Sequence, residues 1–314
     1  MDARFVGIDV SKDKLDVHIR PGVETFVVSR DADGLDELIK RLKSVRAVAI
    51  GVEATGGFEQ VVAATIAGAD LPVVVVNPAQ VRAFARALGQ RSKTDPIDAG
   101  VIAHFIEATK PEVRPLRDEQ TKALAELVTR RRQIIQMLVA ERQRRQHLLS
   151  RAMKKSVTRL ILALEKELNA VDKGIDEMLR GCENWKDKQD LLKSVPGVGD
   201  VTARTLLAEM PEIGTLDRRQ IAALAGLAPY TQASGKWKGK SFIAGGRSSV
   251  RAVLYMAAMT AIRVNPLLKD FYQQLLARGK ARLAALIAVA RKLLTILNAI
   301  IRDKTPWTPV QAMS

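Results

Sequence analysis

Phe5-Val-Gly-Ile-Asp-Val-Ser-Lys12 and Ala47-Val-Ala-Ile-Gly-Val-Glu53 decide the fold of the first third of this chain. Each is an apolar run too short for a helix, and each closes on a carboxylate, so Asp9 and Glu53 are expected at strand tips. Around them the pattern predicts strands near 4–10, 15–20 and 24–29, a helix near 33–44, strand 47–53 and helix 58–68. Strand 72–76 and helices near 78–88 and 96–108 follow. Three strands followed by α/β alternation imply a mixed sheet flanked by helices. Asp31 or Asp33 can cap the first helix, and Val73-Val-Val-Val76 has the composition of a strand buried on both faces.

Working outward, Lys93-Thr-Asp-Pro-Ile-Asp-Ala99 opens the last of these helices and places Asp95 and Asp98 three residues apart on one face. Carboxylates on the first strand, the fourth strand and the final helix would converge at one end of the sheet, where ligands of open α/β sheets gather. Hard oxygen donors without cysteine or converging histidine suit Mg²⁺, with Mn²⁺ as the alternative. Two such ions about 4 Å apart can clamp both oxygens of a phosphodiester displacement. Each acid also has an ordinary structural reading: Asp95 as an N-cap, Asp98 as the acidic partner of a capping box, Asp9 and Glu53 as solvated strand ends. Four acids at four element ends argue for the metal site more strongly than any one of them does.

The net charge of +16 is unevenly spread. Residues 1–117 carry 16 basic and 16 acidic side chains, 118–182 carry 14 and 9, and 183–314 carry 20 and 9. The polyanion-binding surface is therefore expected mainly in the last third, away from the carboxylates. No acid stands between Asp217 and Asp270, whereas Lys236, Lys238, Lys240, Arg247 and Arg251 all do. Such a stretch favours phosphate backbones, although a solvated basic face is the ordinary alternative. One cysteine, Cys182, excludes an internal disulfide framework and fits a reducing compartment. His18, His104 and His147 lack metal-ligand spacing and read as structural. No apolar leader follows Met1-Asp-Ala-Arg4 and no uncharged run is long enough to cross a bilayer, so no membrane association is expected.

Three regions are expected: 1–112, a helical connector at 113–185, and 186–314. In the connector Val157, Ile161, Leu164, Leu168, Val171, Ile175 and Met178 alternate four and three apart, the seam of a coiled coil or helical hairpin. Leu124, Leu127, Val128, Ile135 and Leu138 can supply its partner within one chain, or two chains can pair. Arg130-Arg-Arg132, Arg142, Arg144 and Arg145 decorate this helix as nucleic-acid contacts or as a solvated face. Further on, Leu191-Leu-Lys-Ser-Val-Pro-Gly-Val-Gly-Asp200 and the apolar residues after it resemble a helix-hairpin-helix motif, in which Gly197 and Gly199 would let backbone N–H groups approach a phosphate. A plain helical hairpin uses the same glycines as C-cap and turn. Ser234-Gly235 lies in a polar, basic, turn-rich loop with Trp237; Ser-Gly is a common turn, and Ser241, Ser248 and Ser249 are nearby rivals for any nucleophilic role.

Taken together, Gly7-Ile-Asp-Val-Ser-Lys12, Val52-Glu-Ala-Thr-Gly56, Lys93-Thr-Asp-Pro-Ile-Asp-Ala99 and Pro229 followed by Ser234-Gly235 resemble the DEDD transposases of the insertion-sequence one-ten family, bridge-RNA-guided recombinases related to the Piv DNA invertases. The resemblance implies an α/β RNase H-like (RuvC-like) N-terminal domain, a coiled-coil connector and a mostly α C-terminal domain with a helix-hairpin-helix. It implies that Asp9, Glu53, Asp95 and Asp98 bind Mg²⁺ and that Ser234 becomes covalently joined to DNA. Its implied partners are the DNA of element ends and target, a bridge-type guide RNA, and further copies of the chain, dimer to tetramer, in a bacterial, nucleoid-associated cytoplasmic setting. Two other classes use the same residues differently: a Holliday-junction resolvase-like nuclease with water as nucleophile, and a non-catalytic nucleic-acid binder. A sugar-kinase-like fold shares the Gly-Ile-Asp strand but fits the basic last third poorly, and no Walker-type phosphate loop is visible.

Overall fold

The computed structural model describes residues 3–22, 24–54, 56–90, 95–113, 118–230, 233–234, 237–238 and 241–308, and at 95, 96, 233, 234, 237 and 238 the backbone alone. The chain divides into two compact units, Met1–Leu116 and Arg117–Ser314.

In the first unit β1 (Phe5–Val10), β2 (Lys14–Arg20) and β3 (Glu24–Ser29) form an antiparallel meander. After α1 (Ala32–Val45), β4 (Ala49–Glu53) joins parallel to β1; α2 (Phe58–Gly68) leads to β5 (Val73–Val76), parallel to β4. The sheet order is β3-β2-β1-β4-β5. α3 (Pro78–Ala87) and α4 (Asp95–Thr109) complete the unit. The strand period of two sorts the side chains. Val6, Ile8 and Val10 share a core with Leu15, Val17, Ile19, Ile50, Val52, and with Leu38 and Leu42 of α1 and Val62 and Ile66 of α2. The alternate positions, Phe5 and Ala49, pack with Ile102 and Ile106 of α4 and Val81 of α3. Of the two candidate caps for α1, Asp31 is the one used: its carboxylate accepts from the Gly34 amide at 2.9 Å. One expectation fails here. β5 is an edge strand, with Val75 40% exposed, and its continuous apolar run is therefore not buried on both faces.

The second unit is helical. α5 (Glu119–His147) and α6 (Arg151–Arg180) form an antiparallel hairpin, tied by Arg131–Asp172 at 2.6 Å and Arg142–Glu165 at 2.7 Å. The expected seam on α6 thus finds its partner in the same chain; Ile161, Val171 and Ile175 are buried with Leu124, Val128, Ile134 and Leu138 of α5. Ile134, rather than its neighbour Ile135, faces the core. α7 (Glu183–Lys193), α8 (Asp200–Glu209), α9 (Arg218–Leu224), α10 (Ser248–Val264), α11 (Pro266–Ala277) and α12 (Arg282–Asp303) share one continuous core with the hairpin. α12 is long and apolar enough by length and composition to cross a membrane. Its Val289, Ala290, Leu293, Leu294 and Leu297 are instead the fully buried centre of this unit. Between α9 and α10 lie four two-residue strands, β6 (Pro229–Tyr230), β7 (Ala233–Ser234), β8 (Trp237–Lys238) and β9 (Phe242–Ile243).

Candidate active site

The carboxylate end of the sheet is built by glycine. Gly7 and Gly51 sit two residues before Asp9 and Glu53, hence on the same sheet face. A Cβ on Gly7 would overlap the Ala99 carbonyl and the Ala103 amide of α4, and one on Gly51 would stand 2.5 Å from Ile106 Cγ1. These two glycines let α4 lie directly on the strands. Its direction is set by Arg20, which pairs with Phe5 at the start of β1 and donates to Glu107 near the end of α4 at 2.6 Å. The first turn of α4 therefore lies at the opposite end of β1, where Asp9 is. Because Ile8 stands beside Val52 in the parallel β1–β4 register, the next residues, Asp9 and Glu53, end neighbouring strands side by side. Glu53 and Asp98 line one open cavity of about 500 Å³, together with Val81, Arg82, Ala85, Arg86 and Val101.

Asp9, Glu53 and Asp98 are thus brought to one end of the sheet. Asp95 is the first residue of α4, and its side chain lies outside the described residues, as do Lys93 and Thr94 of the motif. Among the described residues no three His, Cys, Asp or Glu side chains form a ready-made metal cage. The fit to a divalent cation rests on the donor chemistry: carboxylate oxygens alone, carried on two strand ends and a helix held against them, which suits Mg²⁺ rather than a soft metal.

A further acid belongs to this end. Asp16 is opposite Asp9 in the β1–β2 ladder, is 3% exposed, and lies 3.0 Å from the Lys14 ammonium without hydrogen-bond geometry. Alternation in Lys14-Leu-Asp-Val-His-Ile-Arg20 puts Lys14, Asp16, His18 and Arg20 on one face, a signal legible once the hairpin register is known. Burial, and secondarily the Arg20 charge, holds the pKa of His18, whose ring lies beside Gly100 of α4, below the ordinary imidazole value.

In the second unit the described parts of the serine loop form two short antiparallel ribbons, β6–β9 and β7–β8. Pro229 pairs with Ile243 and Tyr230 with Phe242; Ala233 then pairs with Lys238 and Ser234 with Trp237. Ser234 is the last residue of β7. Gly235, Lys236 and Lys240, and the side chains of Ser234 and Lys238, lie outside the described residues. At the ribbon base Tyr230 stacks on Phe242, with centroids 5.7 Å apart, and both rings are about half exposed. Sequence reasoning missed this aromatic pair because its members are twelve positions apart and meet only through the ribbon. Of the rival serines, Ser249 donates to Glu209 and Ser248 is the first residue of α10.

Several basic residues nominated for nucleic acid are internal ties. Arg247 donates through both Nη atoms to Glu212, at 2.5 and 2.6 Å, and Arg251 donates to the Gly245 carbonyl at 2.5 Å. Together they fasten the ribbon's return to the helices, so a phosphate would compete with a bidentate partner for Arg247. Arg131 and Arg132 pair with Asp172 and Glu209. Gly197, at φ 103°, is pressed against α10, where a Cβ would stand 2.6 Å from Ala261 Cα. Gly199 opens α8 with free space beside it and no side-chain cap.

Two family models match the chain, the first of them across the boundary between the two units. A DEDD transposase model of the IS110 group matches residues 6–154, and the model of the transposase IS116/IS110/IS902 family matches 189–273. The pilin gene-inverting proteins of Moraxella bovis and Moraxella lacunata are each 27% identical over 98% of both chains. A protein of insertion element IS116 from Streptomyces clavuligerus is 30% identical over 49% of this chain and 40% of its own.

Proposed function

Because this chain belongs to the IS110 family of transposases, and is by that membership a DNA transposase or recombinase, we propose that it cuts and rejoins the ends of a mobile element through a covalent phosphoserine. The observation that carries the reading is the side-by-side ending of Asp9 and Glu53 on parallel neighbours, with Asp98 in the cavity that Glu53 lines. The order β3-β2-β1-β4-β5 supports an RNase H-like, RuvC-like reading of the first unit, and the α7–α8 hairpin supports a helix-hairpin-helix whose open N-terminus at Gly199 faces a phosphate.

Mg²⁺, or Mn²⁺, held by Asp9, Glu53, Asp95 and Asp98 would supply Lewis-acid stabilisation of the charge that develops on phosphate oxygens. The chain's own nucleophile is the Ser234 hydroxyl, carried by β7, whose backbone pairs with β8. Its oxygen forms a bond to phosphorus as the phosphodiester P–O bond breaks; the serine proton is lost to a base and the released DNA oxygen takes one up. The reverse reaction joins a new strand, so the phosphoester energy is retained and no nucleotide hydrolysis is required. Lys236, Lys238 and Lys240 flank the serine as phosphate contacts. Ser234 and the acids belong to different units; completion of the centre by a second copy, within a dimer or tetramer, rests on family membership. Target choice by a bridge-type guide RNA rests on family membership and would move sequence reading off the protein. The Moraxella relatives are named for inverting a pilin gene, which is itself a rearrangement of DNA.

The test is a denaturing gel for a protein–DNA adduct, formed with DNA of the element ends, the RNA transcribed from them, and Mg²⁺. An adduct lost in both Ser234→Ala and Asp9→Ala supports the reading. Cleaved DNA without adduct, unaffected by Ser234→Ala, means a metal nuclease using water.

A further inference from the structure

Residues 1–117 are neutral in total, which points away from the first unit as a nucleic-acid surface, but its charges are not evenly placed. Arg82 and Arg86 stand four residues apart on α3, hence on one helix face, and both line the 500 Å³ cavity that Glu53 and Asp98 also line. Neither guanidinium has an ion pair or hydrogen bond with another part of the chain among the described residues. Two carboxylates are within the same cavity, yet the arginines do not close on them.

The helix that carries them is fixed. Asn77 caps α3 by accepting from the Ala79 amide at 2.8 Å, and Pro78 presets its first turn directly after β5. Phe84 packs edge-on against His104 and Phe105 of α4, with centroids 5.1 and 5.6 Å apart. The cavity floor is apolar, formed by Val81, Ala85 and Val101. Two guanidiniums on a fixed helix, without a partner among the described residues and lining a cavity with apolar Val81, Ala85 and Val101, suit an anion with two acceptor oxygens such as a phosphodiester.

We propose that Arg82 and Arg86 bind the phosphodiester backbone of the DNA strand that enters the Glu53–Asp98 end of the sheet, holding the phosphates next to the one that is cut. This rests on the transposase reading above and adds to it a second phosphate-binding surface, in the unit where the charge total predicts none. The arginines are binding residues; the bond-breaking chemistry stays with Ser234 and the acids.

The test is fluorescence anisotropy of the full-length chain with labelled duplex DNA over a salt series, comparing wild type, Arg82→Gln/Arg86→Gln and Arg82→Lys/Arg86→Lys, with an RNA duplex as a second probe. Loss of two phosphate contacts is expected to lower the slope of log K against log salt by about 1.8, equivalent to roughly 60-fold weaker binding at 0.1 M salt, with the Lys pair restoring the slope. An unchanged slope in the Gln pair while wild type still binds and cuts DNA overturns the proposal and leaves the transposase mechanism standing. A loss seen with RNA alone overturns it in favour of a guide-binding surface. A Gln pair that lowers the slope as expected, beside a wild type that forms no Ser234 adduct, sinks the serine mechanism and supports the arginine site.

Discussion

Gly7 of β1 lies directly under Ala103 of α4, so close that no side chain fits between strand and helix. This approach sets the height of α4 over the sheet and, with the Arg20–Glu107 pair fixing its direction, brings Asp98 to the strand ends that carry Asp9 and Glu53. The geometry of the acids is therefore a consequence of a residue without a side chain, two positions away from the acid it serves.

Gly7→Ala is expected to force α4 off β1. Overpacking of a close backbone approach costs about 1–3 kcal/mol. Thermal unfolding should show that loss, and DNA cutting should fall further than the loss of folded protein explains, because Asp98 moves with the helix.

Asp9→Asn, Glu53→Gln and Asp98→Asn keep size and remove charge. Each is expected to abolish Mg²⁺-dependent cutting while leaving the unfolding midpoint within a few degrees of wild type. Binding of Mn²⁺ followed by paramagnetic resonance gives the direct check, and unchanged ion binding in all three would remove these residues from the metal site.

The two hairpin glycines should separate. Gly197→Ala meets both a left-handed φ of 103° and the Ala261 backbone, and is expected to destabilise the second unit by about 2 kcal/mol or more. Gly199→Ala, in extended backbone with open space, should change stability by less than about 1 kcal/mol. If the α8 N-terminus holds a phosphate, Gly199→Asp weakens DNA binding at unchanged stability.

Arg247→Met leaves the Glu212 carboxylate half-buried without its bidentate partner and should cost about 1–3 kcal/mol. Arg247→Met/Glu212→Leu should recover part of this. A double-mutant cycle by chemical denaturation measures the coupling; an Arg247 that acts only on DNA would show none.

His18 is held below the ordinary imidazole pKa in the folded chain, chiefly by burial and also by Arg20, with Asp16 on the same strand and Glu107 on α4 as the other nearby charges. The unfolded chain therefore takes up the proton first as pH falls. Stability should be flat well above the unfolded value of 6.5 and decline as pH drops through it towards the lower folded value. His18→Gln should flatten that part of the pH profile of the unfolding midpoint.

Local order was legible in the sequence. Apolar runs that end on Asp9 and Glu53, a cap for α1 at Asp31 or Asp33, the helix near 78–88 and the four-three seam of α6 each act over a few residues, and the structure has strands, a cap and helices where they predict them. The same local logic placed the acids at element ends. What the tertiary structure alone decided concerns partners distant in sequence: α5 as the partner of the seam, Val75 left at a sheet edge, Asp16 set beside Asp9, Arg247 taken up by Glu212, and Gly197 used for helix packing. Arg82 and Arg86 gain a reading only from the cavity that α3 lines together with Glu53 and Asp98. The reason is physical: periodicity and capping are set by neighbours along the chain, whereas the work of a charge or a glycine is set by whatever the fold brings within a few ångströms of it.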